Sequence, residues 1–439
     1  MRREILRLAV PAFLALVAEP LFLLGDSAIV GHLGTVPLAG LSVAAAVLST
    51  AAGVFVFLAY GTTGVVARHL GAGSDRLALA AGADGLWLAL VLGVAAASVV
   101  AGLAGPMAGA FGGSAAASAQ AVTYLRIAAA GVPGMLVVLA ATGVMRGLQD
   151  TRTPLLVSVV GFAANLVLNV VLVFGARMGI AGSATGTVLA QTGMAAGLVT
   201  VMLRQSRRLG ATLRFRPAGV LRVALAGLPL LVRTLALRAV LLVTTAVAAG
   251  YGDVTLAGHQ VVLSVWNFLA FALDALAIAA QAIVGRALGA GDRESAHATA
   301  TTLTWWGVAT GAVVGVVLLA VSPVLARLFT ADDRVVRAAA VAFVVVGAVQ
   351  WLAGYVFVLD GILIGAGDNT WLAVLMCAAV AVFVPLLAWQ SRGAHVLPGS
   401  FGVPLVGLWV WYAAGFMALR GIGLGWRFRS GRWLVTGTR

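Results

Sequence analysis

The chain has 439 residues, of which 62% are apolar and only 10% charged, and its mean hydropathy is +1.07. Those values exclude a soluble globular protein and leave a polytopic membrane protein. All 28 basic residues are arginine, and against 14 acids they give a formal charge of +14, which would suggest nucleic acid in a soluble chain.

Apolar runs of roughly 20 or more residues, each long enough to cross a hydrocarbon core of ~30 Å as a helix, fill nearly the whole length. In chain order they predict twelve spans, near residues 8–30, 37–65, 77–104, 119–145, 153–175, 179–203, 220–249, 254–284, 297–321, 335–364, 370–390 and 402–424. The opening "MRREILRLAVPAFLALVAEP" has the basic start and apolar run of a secretory signal. Glu19 interrupts that run and no small-residue cleavage site follows, so it is expected to remain as the first helix.

The first helix carries two carboxylates, Glu19 and Asp26, beside Pro20. Their seven-residue separation makes 700° on a straight helix, so they share a face and stand ~10 Å apart along the axis. That face must avoid lipid, where a charge costs on the order of 3 kcal/mol or more. Pro20 removes a backbone hydrogen bond and is expected to bend the helix as a hinge, as Pro11 does nearer its start. The fifth helix brings Asn165 and Asn169, four apart on one face, with Asn169 at about the depth of Asp26. One carboxylate and two amides make the first half the expected place for an ion or proton. Burial favours a neutral carboxyl and amide donors an ionised one, so proton and sodium both remain open.

Gly182 and Gly186 on the sixth helix form a GxxxG read as close helix packing, with Thr187 beside it as a candidate cleft residue. Arg233 on the seventh helix and Asp274 on the eighth lie at similar depth and are expected to form a buried ion pair. Asp84 and Asp360 fall near helix ends, where carboxylates are expected to reach water, and Arg126 near the outer end of the fourth helix is expected to snorkel. Cys377 is the single cysteine, so no intrachain disulfide forms, and the five histidines lack metal-ligand spacing. The "GAG" loops at 71, 289 and 365 read as turns, since no strand precedes them and no lysine exists to hold a phosphate.

An internal repeat organises the chain. "LAGLSVAAAVLS" at 38 answers "LAGHQVVLSVWN" at 256, "VVARHLGAGS" at 65 answers "IVGRALGAGD" at 283, and "GVMRGLQDT" at 143 answers "GILIGAGDN" at 361, all at an offset of 218. A constant offset spanning six helices predicts two homologous lobes entering the membrane in the same orientation, related by a pseudo-two-fold along the membrane normal. The expected domains are an N-terminal lobe over 1–203, a linker over 204–222, and a C-terminal lobe with a short tail over 223–439. A cleft between such lobes, opened alternately by rocking, is the plan of a secondary transporter.

The repeat puts Thr244 where Asp26 stands and Leu237 where Glu19 stands, and gives the eleventh helix no asparagine, which confines the expected ion chemistry to the first lobe. With the N-terminus inside, twenty arginines (2, 3, 7, 68, 76, 146, 152, 204, 207, 208, 214, 216, 222, 286, 293, 420, 427, 429, 432 and 439) fall on one face. Only Arg177, Arg327, Arg334, Arg337 and Arg392 fall on the other. That bias predicts cytoplasmic termini and turns the net charge into a topology signal and an anionic-lipid anchor.

The motifs "AEPLFLLGDSAIVGHLG", "RGLQDTRTP", "NLVLNVVLVFG" and "GIAGSATGTVLAQ", in that order, resemble the multidrug and toxic compound extrusion (MATE) transporters, and among them the DinF-like branch. The resemblance covers essentially the whole chain. It implies an all-α polytopic fold of twelve transmembrane helices in two six-helix lobes, no enzymatic activity, and export of organic solutes against inward flow of protons or sodium. It implies that the carboxylate matching Asp26 carries the coupling ion. The expected coupling set is therefore Asp26, Glu19, Asn165 and Asn169, with Pro20 and Thr187 as hinge and cleft residues, and sodium, if used, at Asp26, Asn165 and Asn169. Some relatives carry a second carboxylate where Asn169 stands, which leaves the ion open.

The expected partners are an amphipathic or cationic organic solute and membrane lipids, without nucleic acid, for a monomer in a prokaryotic inner membrane with no cofactor beyond the coupling ion. Two rivals of the same superfamily are an organic-anion (citrate-like) exporter, favoured if Arg233 or Arg238 faced the cleft, and a lipid-linked flippase, which would want a cationic cleft. An embedded enzyme or scaffold would want a catalytic cluster or a large exposed domain, and neither is present.

Overall fold

The computed structural model of the chain describes residues 2–391 and 404–438, with the side chains of Glu19, Pro323, Gln390 and Ser391 outside that description. Among the described residues every regular element is helical, because in hydrocarbon each backbone N–H and C=O must be satisfied within its own segment. Twelve helices are long and apolar enough to cross a membrane. They are α1 (Arg2–Gly31), α2 (Thr35–Gly71), α3 (Asp75–Gly102), α4 (Ala115–Gly147), α5 (Arg152–Gly175), α6 (Ile180–Leu209), α7 (Pro217–Gly250), α8 (Asp253–Gly289), α9 (Arg293–Ser322), α10 (Asp333–Gly365), α11 (Asn369–Trp389) and α12 (Pro404–Arg429).

Each expected span coincides with one of these helices, apart from residues 402–403 of the last, which lie outside the described residues. The helices run further at several ends, as α6 does through Arg204, Arg207 and Arg208 to Leu209, because hydropathy counts only the apolar stretch while the helix continues into water. Gly210 then ends α6 in a left-handed conformation, φ +63°, that a side chain would resist. Elsewhere polar loop residues set the starts. Asp292 caps α9 by accepting from the Ser295 N–H at 2.9 Å, and Asp150 of "RGLQDTRTP" accepts from the N–H groups of Arg152 and Thr153 at the start of α5.

The chain forms two compact units, Leu6–Leu228 with Gly437–Arg439 and Pro229–Thr436 with Met1–Ile5. The boundary thus falls inside α7, at a proline.

In the first unit, residues 211–216 leave the helical path and lie along α3. Arg216 pairs with Asp84 at 2.6 Å, the Trp87 indole N–H donates to the Leu213 carbonyl at 3.0 Å, and Arg76 donates to the Gly210 carbonyl at 2.7 Å. Asp84 is therefore buried against the linker rather than open to water, correcting the expectation for it.

Packing reproduces the repeat in three dimensions. A Cβ on Gly143 of α4 would fall 2.9 Å from the Ala59 Cα of α2, and one on Gly361 of α10 would fall 2.7 Å from the Ala277 Cα of α8. One turn on, Gly147 presses on Thr63 and Gly365 on Gln281. All four positions in each unit map onto the other at the offset of 218 seen in the sequence. The repeated glycines keep their helix against its neighbour at backbone distance, and that contact does not depend on which polar residues each unit carries.

Candidate functional site

The site in the first unit is assembled from four helices around Asp26, which is only 5% exposed. Its Oδ1 accepts from the Asn169 amide at 2.7 Å and the Ser183 hydroxyl at 2.6 Å, and its Oδ2 accepts from the Tyr124 hydroxyl at 3.4 Å. The Asn169 amide also donates to Asn165 Oδ1 at 2.9 Å, and the Asn165 amide donates to Thr187 Oγ1 at 3.3 Å. Thr187 in turn lies 3.4 Å from the Tyr124 hydroxyl. Asp26, Asn169, Asn165, Thr187 and Tyr124 thus close a ring, with Ser183 bonded to its carboxylate.

Local structure explains the placement. Asn165 and Asn169 share a face of α5 one turn apart, and Ser183 and Thr187 do the same on α6. A Cβ on Gly186 would collide with Asn169 Oδ1, and one on Gly182 would fall 2.8 Å from the Leu172 carbonyl carbon. The two glycines therefore pack helices closely, as the GxxxG reading expects, and Gly186 does so against a member of the ring. Directly after Val170 the helix widens into a π turn over Val171–Gly175, a form frequent at functional sites. Tyr124 is held on α4 in an apolar cluster with Val30, Leu41, Leu125 and Ala184.

Among the described residues no basic side chain pairs with Asp26, and its partners are neutral hydroxyls and amides. An ionised Asp26 would be a buried charge without a counter-ion, so the site is chemically complete when it takes up a proton or a small cation. Asn169 Oδ1 is buried and accepts nothing, which leaves one further oxygen free beside the carboxylate. No group of three His, Cys, Asp or Glu that could hold a metal ion occurs among the described residues.

The structure brings together Asp26, Asn165, Asn169 and Thr187 of the expected set. Pro20 lies two turns before Asp26 in α1, which stays helical through both of its prolines. Glu19 occupies a helical position in α1, and its side chain lies outside the described residues. Two ring partners escaped the sequence reading, Ser183 and Tyr124. The spacing of Ser183 from Thr187 was the available signal for the first, and nothing local marks the second.

In the second unit Thr244 turns its hydroxyl onto its own helix, donating to the Val240 carbonyl at 2.7 Å, and buried Phe383 and Leu387 occupy the repeat positions of the two asparagines. Charge is concentrated elsewhere. Arg233 donates to Asp360 Oδ2 at 2.6 Å, and Arg420 of α12 pairs with the same oxygen. This corrects two expectations. Asp360 does not reach water but is buried between two guanidiniums, and it gives Arg233 a partner the sequence reading did not consider. Arg420, counted among the cytoplasmic arginines, is 3% exposed and belongs to this cluster.

The MatE family model matches the chain twice, over residues 11–171 and 229–389, stretches that begin 218 residues apart. Protein DETOXIFICATION 44, chloroplastic, of Arabidopsis thaliana is 32% identical over 98% of this chain and 83% of its own length. DNA damage-inducible protein F of Escherichia coli strain K12 is 30% identical over 98% of this chain and 93% of its own. Among solved structures, the Vibrio cholerae MATE transporter VcmN in the bent form shares the fold with a TM-score of 0.86 at 20% identity, covering 98% of both chains. A MATE in the bent conformation gives 0.88 at 19% identity, covering 98% of this chain and 96% of the other.

Proposed function

The chain belongs to the MatE family of membrane transporters, and on that premise we propose that it is a proton-coupled antiporter that exports amphipathic, cationic or drug-like organic solutes by alternating access. The observation that carries this reading is the closed ring around Asp26, a buried carboxyl with neutral partners and, among the described residues, no counter-ion. Oδ1 is already occupied by two strong donors, whereas Oδ2 meets only the Tyr124 hydroxyl at 3.4 Å. A proton needs just that one oxygen, whereas sodium needs several at once, and of the oxygens around the carboxylate only Asn169 Oδ1 has no hydrogen-bond partner, the Ser183 and Tyr124 hydroxyls already donating to Asp26. Asn169 supplies an amide where a second carboxylate would add charge for a metal ion.

One turn from Asp26, Phe22 and Phe162 stack with centroids 4.9 Å apart, an apolar platform suited to a flat organic solute. The organic-anion reading rests on Arg238 alone, which is exposed, since Arg233 is engaged with Asp360 rather than presented to a solute. The arginine bias favours an orientation with both termini cytoplasmic.

Transport by the purified chain in proteoliposomes separates the ions. Efflux of a fluorescent organic cation is expected when a proton gradient is imposed and to fall to background when sodium alone is the gradient. Sodium-driven efflux without a proton gradient would overturn the proton assignment.

A further inference from the structure

At one end of the second unit, two tryptophans and two arginines form a ladder. The Arg427 guanidinium lies 5.3 Å from the Trp371 ring centroid, Trp371 and Trp426 lie 5.2 Å apart, and the Arg432 guanidinium lies 5.9 Å from Trp426. Both end contacts are within the ~6 Å reach of a cation–π interaction. The two ends differ in charge. Arg427 is neutralised by Asp368, which accepts from it at 2.6 and 3.1 Å. Arg432 and neighbouring Arg429 are exposed, and no carboxylate among the described residues pairs with either.

The ladder is held in place. Phe428 and Trp433 stack at 5.4 Å with His297 beside Phe428 at 5.8 Å, and the Trp433 indole N–H donates to the Phe428 carbonyl at 2.9 Å. Between them Gly431 takes φ +65° to turn the chain back, so Arg429 and Arg432 project from a fixed turn.

Depth identifies the occupant. Trp371 lies in the first turn of α11 and Trp426 in the last turn of α12, so both stand where their spans meet the interface, the level favoured by amphipathic indoles. Trp426 is 51% exposed, and the Trp371 indole N–H is buried with no acceptor. An unneutralised guanidinium pair beside an exposed indole at headgroup depth complements a group that is anionic at one end and apolar at the other. We propose that this ladder is a binding site for an anionic phospholipid, with its phosphate on Arg432 and Arg429 and its glycerol and upper acyl chain along Trp426.

The test is native mass spectrometry of the full chain released from detergent, with phosphatidylglycerol, phosphatidylcholine or inorganic phosphate added. Phosphatidylglycerol adducts should exceed phosphatidylcholine adducts. They should weaken about fivefold for each of Arg429→Gln and Arg432→Gln, the factor expected per basic group near an anionic surface, and persist in Arg432→Lys. Because either neutralising variant could misfold, quenching of tryptophan fluorescence by brominated phosphatidylglycerol in the otherwise unaltered protein is the second readout. Quenching should fall when Trp426→Phe is introduced. Equal binding of both lipids, or unchanged adducts in the double glutamine variant, would overturn the proposal. Displacement of the lipid by millimolar inorganic phosphate would do so too, by making free phosphate the ligand.

Discussion

Asp26→Asn is expected to abolish gradient-driven export, to the background of empty liposomes, while the protein remains folded. The amide keeps the size of the carboxyl, its Oδ1 still accepts from Asn169 and Ser183, and its new N–H₂ group sits where Oδ2 faced the Tyr124 hydroxyl, which can accept. What it loses is the ability to titrate. An ion shifts a conformational equilibrium by no more than its differential affinity for the two states, so removing the carboxyl proposed to bind it should remove the coupling. Transport in proteoliposomes checks this, with thermal unfolding in detergent showing that the fold survives. Ser183→Ala should do less, since Asn169 still holds Oδ1, and a several-fold loss of rate is the expected result. Full export by Asp26→Asn would move the coupling site elsewhere, with Glu19 the first alternative.

Asp360→Ala is expected to cost the fold about 3–5 kcal/mol, the penalty for breaking a buried ion pair and leaving its partner charged. Here the buried Arg420 loses its carboxylate. Arg420 is 3% exposed and lies 5.8 Å from the Phe416 ring. The loss should appear as a much lower thermal midpoint or as failure to purify a monodisperse protein. A second substitution, Arg420→Met, should restore part of it by removing one uncompensated charge. Wild-type stability in Asp360→Ala would show that the cluster is not held together by its carboxylate.

The two effects mark how much of the molecule the sequence discloses. The twelve spans were legible because a membrane demands long apolar helices regardless of what they pack against. The repeat was legible because 218 separates each pair of motifs, and the same offset relates Gly143 and Ala59 to Gly361 and Ala277. Asp26, Asn165 and Asn169 stood out through rarity and helical spacing, since acids and amides are costly in an apolar segment.

Ser183 and Tyr124 did not stand out. A serine in a Gly- and Ala-rich helix usually bonds its own backbone, and Tyr124 reaches the site only through the packing of α4 against α6, which no local pattern encodes. Asp360 does not stand out as a partner of Arg233 for a related reason. Hydropathy gives depth along a helix but not rotation about it, so it places Asp360 near water and Arg420 among the cytoplasmic arginines. Both face inward because the second unit closes around them.

The central claim is that Asp26 exchanges a proton for the solute. The most direct measurement is proton release on solute binding by purified protein in weakly buffered detergent solution, followed with a pH indicator. The wild-type protein is predicted to release about one proton for each solute molecule bound, as expected for one titrating site in linkage with one binding event, and Asp26→Asn to bind solute without release. Solute binding without proton release by the wild-type protein, or equal release by Asp26→Asn, would contradict it.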